Sequence, residues 1–219
     1  MLFDNFDEIR IINLAYRTDR RAEVLGELRR VGLEDDARVA FFDALAFDDA
    51  GPFSSKGARG AFYSHLAILE QAAANGRSVL ILEDDVDFTS GVRDYELPED
   101  WAIFYGGHRA SDAPGAQEGD IIGSHMMGFT AEVVRHLASY LKTLSFVDEH
   151  PPIDGAYVWF RRENPNIRTV FAEPPLGNQR PSRTDVADLH LFDRLLGLRQ
   201  VVAFARKLKR RLGFARPSR

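Results

Sequence analysis

The hydrophobic positions along the chain change period several times, and each change marks an element. Ile9 to Leu14 is a nearly continuous apolar run, short enough for a strand buried on both faces. Behind it, Val24, Leu25, Leu28 and Val31 keep helical spacing, with Thr18 or Asp19 placed to cap the helix and Gly32 to close it. Val39 to Phe42 reads as a second strand, and Gly51-Pro52 and Ser54-Ser55 break the stretch from Asp43 to Lys56 into a loop. A helix then begins in the stretch from Gly57 to Gln71 and ends near Asn75-Gly76. Val79-Leu80-Ile81-Leu82 is the most apolar strand of all and runs straight into Glu83-Asp84-Asp85-Val86-Asp87. Further on, Trp101–Tyr105 and Ile121–Thr130 read as strands, and Ala131–Leu144 as an amphipathic helix. Pro151-Pro152 opens an aromatic segment that reads as a helix, and Ile167–Ala172 closes the series as a last strand. Strands alternating with helices, without internal repeats, predict an α/β domain built on a mostly parallel sheet flanked by helices.

The acidic run holds the first candidate chemistry. Ligands of open α/β sheets bind outside the carboxyl ends of the strands, and this run lies at such an end. Alternation along an extended chain puts Glu83, Asp85 and Asp87 on one face and turns Asp84 away. Three hard oxygen donors on one face suit Mg²⁺ or Mn²⁺ bridging to a diphosphate; the plainer reading is a solvated acidic turn that ends a strand. The opening strand, loop and helix could form a nucleotide-binding unit. It lacks phosphate-cradling glycines, so any phosphate contact must come from Arg17, Arg20, Arg21 or helix-end amides. Gly57 and Gly60 allow close backbone approach, with Ser64 and His65 a turn further on; a lone helical histidine is more often a packed residue than a ligand. Asp154 is either a helix N-cap or a catalytic acid or base. The Ala-, Gly-, Pro-, Ser- and Asp-rich stretch from Arg109 to Asp120 has the composition of a loop that closes over a substrate.

Composition narrows the setting. The chain has 219 residues, 45% of them apolar and 28% charged, which is ordinary for a globular protein with a sizeable core. With no cysteine there is neither a disulfide framework nor a thiolate metal site. The first residues carry acids where a signal peptide needs bases, and no apolar run has membrane-spanning length, so the expected location is the cytoplasm. Net charge is −5 but unevenly distributed, with nine Lys or Arg and no acid from Arg194 to Arg219. Leu198, Val201, Val202, Ala205, Leu208 and Leu212 form an apolar stripe among those bases. A helix so patterned suits the anionic inner face of the cytoplasmic membrane, or the protein's own body; the acidity of the rest argues against nucleic acid. The expected division is a catalytic domain over 1–190 and a basic amphipathic tail over 191–219.

Taken in order, these blocks resemble glycosyltransferase family 25, which includes bacterial lipooligosaccharide galactosyltransferases and procollagen galactosyltransferases. The resemblance rests on Ile12-Asn13-Leu14 with Asp19-Arg20-Arg21, on Gly57, Gly60, Ser64 and His65 in their spacing, and on Leu82-Glu83-Asp84-Asp85. Asp154, Pro174-Pro175-Leu176, Gln179 and Thr184-Asp185-Val186 extend it to about residue 188. Ala61, Ala15-Tyr16 and Gly128-Phe129 depart from the family's usual residues, which bears on donor and acceptor specificity. The resemblance implies a GT-A type, Rossmann-like fold and a metal-dependent inverting transfer of a hexose, galactose favoured. The donor would be a UDP-sugar and the acceptor a hydroxyl of a glycan or lipid-linked glycan, such as a lipooligosaccharide or lipopolysaccharide core. Asp85, with Glu83 or Asp87, would hold the Mn²⁺ or Mg²⁺. Asn13, Arg17, Arg20, Gly57, Gly60, Ser64, His65 and Asp84 would line the donor site, Asp154 would be the base, and Gln179 and Asp185 would be wall or acceptor-side residues. Two other readings use the same residues: a metal-dependent phosphohydrolase, and a nucleotide-sugar binding protein that turns nothing over.

Overall fold

The computed structural model describes residues 1–110 and 120–180. The basic tail, the boundary at residue 190, Asp185 and most of the loop between Arg109 and Asp120 lie outside them. After a 3₁₀ turn at Leu2–Asn5 come β1 (Glu8–Asn13), α1 (Thr18–Arg30), β2 (Val39–Asp43), α2 (Lys56–Asn75) and β3 (Val79–Glu83). The chain continues through β4 (Val86–Phe88), β5 (Ile103–Tyr105), β6 (Arg109–Ala110), β7 (Ile121–Ile122) and β8 (Met126–Phe129). It closes with α3 (Ala131–Lys142), α4 (Ile153–Glu163), β9 (Thr169–Phe171) and β10 (Gly177–Gln179).

Six strands form the central sheet in the order β2-β1-β3-β8-β5-β9. Pairing is parallel from β2 through β1 to β3 and between β5 and β9, while β8 runs antiparallel to both its neighbours. The architecture is therefore the expected mixed α/β sheet, with one reversed strand in its middle. β10 pairs with β4, and β6 with β7, in two separate ribbons.

Period-two alternation divides the core between the faces of this sheet. Val79, Ile81, Ile103, Met127 and Phe129 pack under α2, α3 and α4, against Phe62, Leu69, Leu137 and Phe160. Leu80, Leu82, Ile9, Ile11 and Phe104 face the other way, onto Val24 and Leu28 of α1 and onto Leu2, Phe3 and Phe6 of the N-terminal turn. All four aliphatics of β3 are fully buried, as a strand covered on both faces requires.

Two capping expectations are corrected. Neither Thr18 nor Asp19 caps α1: the cap position is Arg17, and Asp19 in the first turn receives its guanidinium at 2.9 and 2.8 Å. Asp154 does not cap α4 either; Pro152 holds that position, and Asp154 lies in the first turn accepting the Gly155 N–H at 2.9 Å. The helix ends match their glycines. Gly32 has φ +71° after α1 and Gly76 φ +63° after α2, conformations that cost a residue without Cβ least.

A Cβ placed on Gly128 in β8 would lie 2.6 Å from the buried Phe6 ring and 3.2 Å from Phe104 Cβ. Gly128→Ala is expected to overpack this layer and destabilise the fold by about 1–3 kcal/mol, read as a lower urea midpoint with an unchanged slope.

Candidate active site

The carboxyl ends of β1, β2 and β3 open into a cleft of about 750 Å³ walled by the β1–α1 loop, the β2–α2 loop, the start of α2, the start of α4 and β10. β8 reverses direction, so its amino end reaches the same edge and brings Gly123, Ser124 and His125 into the wall.

Alternation carries past the end of β3 for two residues and then fails. Glu83 turns to the α2 and α4 side, where it accepts Ser124 Oγ at 2.5 Å and lies 3.7 Å from His65 Nε2. Asp84 turns to the α1 side as expected. Its two oxygens accept Asn13 Nδ2 at 2.7 Å and Arg20 at 2.9 Å, tying the β1–α1 loop to the acidic segment. Asp85 returns toward the cleft, 2% exposed, with its Oδ1 buried and without a hydrogen-bond partner. Asp87 does not join Glu83 and Asp85, contrary to the sequence expectation. The chain turns at Asp84-Asp85 and restarts as β4 in a different ribbon, where Asp87 pairs with Arg180 at 2.8 Å outside the cleft wall. The Arg180 N–H also donates to the Asp85 carbonyl at 2.7 Å, which fixes the turn.

The other expected residues divide between wall and scaffold. Arg20, Gly57, Gly60, Ser64, His65 and Asp154 line the cleft, whereas Asn13 stands behind it and Arg17, held by Asp19, is outside its lining. Gly60 and Ser64 serve the chain itself. A Cβ on Gly60 would sit 2.5 Å from the Leu45 carbonyl, while Ser64 Oγ donates to the Gly60 carbonyl at 2.7 Å and accepts the Leu45 N–H at 2.9 Å. Together they clamp the β2–α2 loop onto α2. His65, wholly buried, bonds Tyr157 of α4 through Nδ1 at 2.9 Å, while its Nε2 has no hydrogen-bond partner.

The sequence pattern reads Ile121 to Thr130 as one strand and so hides Ser124 and His125 inside it; in the structure that stretch is broken into β7 and β8, and the two residues stand in the break. The available signal was Gly123-Ser124-His125 ahead of an apolar run whose antiparallel pairing would bring it beside the acidic end of β3. Tyr16, 69% exposed at the cleft, was noted only as a departure from the family pattern.

The electrostatics follow from this packing. Burial works to raise the Glu83 carboxyl, but the His65 ring, Ser124 and His125 outweigh it and hold Glu83 below its ordinary value. Asp85 has no such company: burial, then the charge of Glu83, pushes it up to about 7, against the opposing pull of Arg20 and Gln179. Burial also raises Asp154. For His125 burial acts in the opposite direction, lowering its affinity for a second proton so that the ring is neutral at pH 7.

A divalent cation fits Asp85, whose orphaned oxygen and raised pKa both mark a carboxylate lacking a counter-charge, with Glu83 as the neighbouring oxygen donor. A complete protein cage does not fit. Among the described residues no three His, Cys, Asp or Glu side chains are arranged to hold a metal, so other ligands would have to be water or substrate oxygens, as Mg²⁺ and Mn²⁺ commonly accept.

An acid whose folded pKa is raised favours folding when protonated, so this contribution is lost as pH rises from near 4 to near 7. In metal-free buffer Asp85→Asn is expected to match the wild type near pH 4 and exceed its stability above pH 7, by on the order of 2–4 kcal/mol. Urea denaturation of both proteins across this range measures the gap.

No family model matches the chain. Over 108 residues, 40% of its length, it is 35% identical to the human protein named inactive glycosyltransferase 25 family member 3, and it spans about 18% of that protein. Solved structures with a similar fold include a glycosyltransferase involved in glycosylation of the major capsid of PBCV-1, at 13% identity and TM-score 0.46 over 76% of this chain and 82% of that one. Another is 4-diphosphocytidyl-2C-methyl-D-erythritol synthase from Anaerococcus prevotii, at 9% identity and TM-score 0.44 over 90% and 78%. By sequence, with the acidic strand end, the Gly-Gly-Ser-His helix and their order in one α/β chain, the protein is similar to glycosyltransferase family 25.

Proposed function

We propose that the cleft transfers a hexose, galactose favoured, from a UDP-sugar to a hydroxyl of a glycan acceptor with inversion at the anomeric carbon. The observation that carries this reading is Asp85, a buried carboxylate with an unpartnered oxygen at the carboxyl end of a central strand, in a cleft that also holds Asp154. Bound at Asp85 beside Glu83, Mn²⁺ or Mg²⁺ would offset the negative charge that builds on the departing diphosphate. Arg20, paired with Asp84, and Lys56 line the same cleft, and Lys56 would offer a positive charge to phosphate oxygens there. Asp154, with its carboxyl raised by burial, is assigned the acceptor hydroxyl proton: the acceptor oxygen bonds to the anomeric carbon, the bond to the diphosphate oxygen breaks, and UDP leaves. The nine bases after residue 193 support an acceptor presented at an anionic membrane surface, such as a lipid-linked lipooligosaccharide core.

A second reading, a nucleotide-sugar binder without turnover, is favoured by the word inactive in the name of the human relative and by the loss of Asp87 from the acidic cluster. It shares the binding chemistry and differs at the chemical step.

Calorimetric titration with UDP is expected to show binding that Mn²⁺ strengthens at least tenfold, about 1.4 kcal/mol, and that Asp85→Ala reduces to the metal-free level. Failure of UDP to bind under either condition removes the donor assignment. UDP release from UDP-galactose then separates the two readings: turnover that Asp154→Asn lowers by about 10²-fold or more supports transfer, and metal-dependent binding without turnover supports the silent protein.

A further inference from the structure

His125 has a bond that determines its tautomer. Its Nε2 lies 3.1 Å from the Gly177 carbonyl, and a carbonyl only accepts, so Nε2 carries the proton and Nδ1 of the neutral ring is a bare lone pair. The packing determines which way that lone pair points. A Cβ on Gly107 would stand 2.0 Å from Nε2 and 2.6 Å from Cδ2, so this edge of the ring lies against Gly107 and the opposite edge, with Nδ1, is turned away from it. Gly123, at φ +140°, brings the chain before His125 so near that its own Cβ would be 2.6 Å from the Gly107 carbonyl. Two glycines and a carbonyl thus hold one ring in one orientation, and the residue lines the cleft. The Glu83 N–H donates to the His125 carbonyl at 3.0 Å, fixing its height beside the acidic strand end.

We propose that His125 Nδ1 is a preset hydrogen-bond acceptor for a carbohydrate hydroxyl, of the transferred hexose or of the acceptor glycan. This rests on the glycosyltransferase reading and adds a sugar-binding residue to it. A fixed acceptor calls for an O–H donor; phosphate oxygens, being acceptors themselves, would be repelled. Strand order places the sugar. β1, followed by a loop and helix α1 that contribute Leu14, Tyr16 and Arg20 to the cleft, lies on one side of β3, and β8, which His125 precedes, lies on the other. A diphosphate at Asp85 with its nucleoside toward β1 therefore directs the hexose and its acceptor toward His125.

The test uses the full chain with Mn²⁺ and three probes: UDP, UDP-galactose and methyl β-galactoside. His125→Gln replaces the ring by an amide whose N–H can still reach the Gly177 carbonyl. It is expected to keep UDP affinity within about twofold and to weaken UDP-galactose or the glycoside by roughly 3- to 10-fold, the worth of one neutral hydrogen bond. Loss on UDP-galactose assigns the contact to the donor hexose, and loss on the glycoside assigns it to the acceptor. Unchanged affinity for both sugars, or an equal loss for UDP itself, overturns the assignment while leaving the donor reading intact; a wild type that binds none of the three overturns both. Should the variant not fold, ¹⁵N-histidine spectra of the wild type decide. A protonated Nε2, with a bare Nδ1 whose resonance moves on adding either sugar but not UDP, is expected, and the opposite tautomer or no movement overturns the proposal.

Discussion

Arg20 and Asp84 meet at 2.9 Å with both side chains about nine-tenths buried, and the arrangement of the site depends on that contact. Asn13 occupies the second Asp84 oxygen, so one carboxylate joins the end of β1, the first turns of α1 and the turn after β3. Breaking a buried pair leaves an uncompensated charge, a cost of about 3–5 kcal/mol, far above that of an exposed pair. Asp84 is therefore read as the acid that sets where its neighbours point, which leaves Glu83 and Asp85 to face the cleft.

The acids at and after the end of β3 are partnered in different ways, and the differences are local. Glu83 is supported by Ser124 and His65, Asp87 is neutralised by Arg180, and Asp85 is left with an unpartnered oxygen. A buried polar atom without a partner costs about 1–3 kcal/mol, and Asp85 Oδ1 is the carboxylate oxygen among those the described residues leave so. That oxygen, at a strand end inside the cleft, is the observation on which the proposed cation site rests.

The reversed strand β8 changes what the cleft can do. In a purely parallel sheet only carboxyl ends and the loops after them reach the ligand edge. Here an amino end reaches it too, carrying Ser124 to Glu83 and His125 to the opening. Gly107 and Gly123 make this possible by letting their segments approach His125, the Gly177 carbonyl and each other more closely than a Cβ would permit.

Much of this was legible in the residues. The apolar runs specify strands because a continuous stretch of branched side chains is stable only when both faces are covered, and β3 is buried throughout for that reason. Helical spacing located α1, α2 and α3, and alternation foretold that Asp84 would turn away from Glu83 and Asp85. What alternation could not foretell is where the strand stops. Asp87 keeps the right parity but belongs to another ribbon, because pairing with β10 and the charge of Arg180, more than ninety residues along the chain, capture it there. Nor could local pattern show that Gly60 and Ser64 serve the chain's own loop, or that His125 stands beside Glu83. The sequence by itself determined the α/β layering and the acidic end of the central strand, since both arise from neighbours in the chain. The tertiary structure alone decided which acids face the cleft and which histidine joins them, because those contacts are made between segments whose separation no local periodicity records.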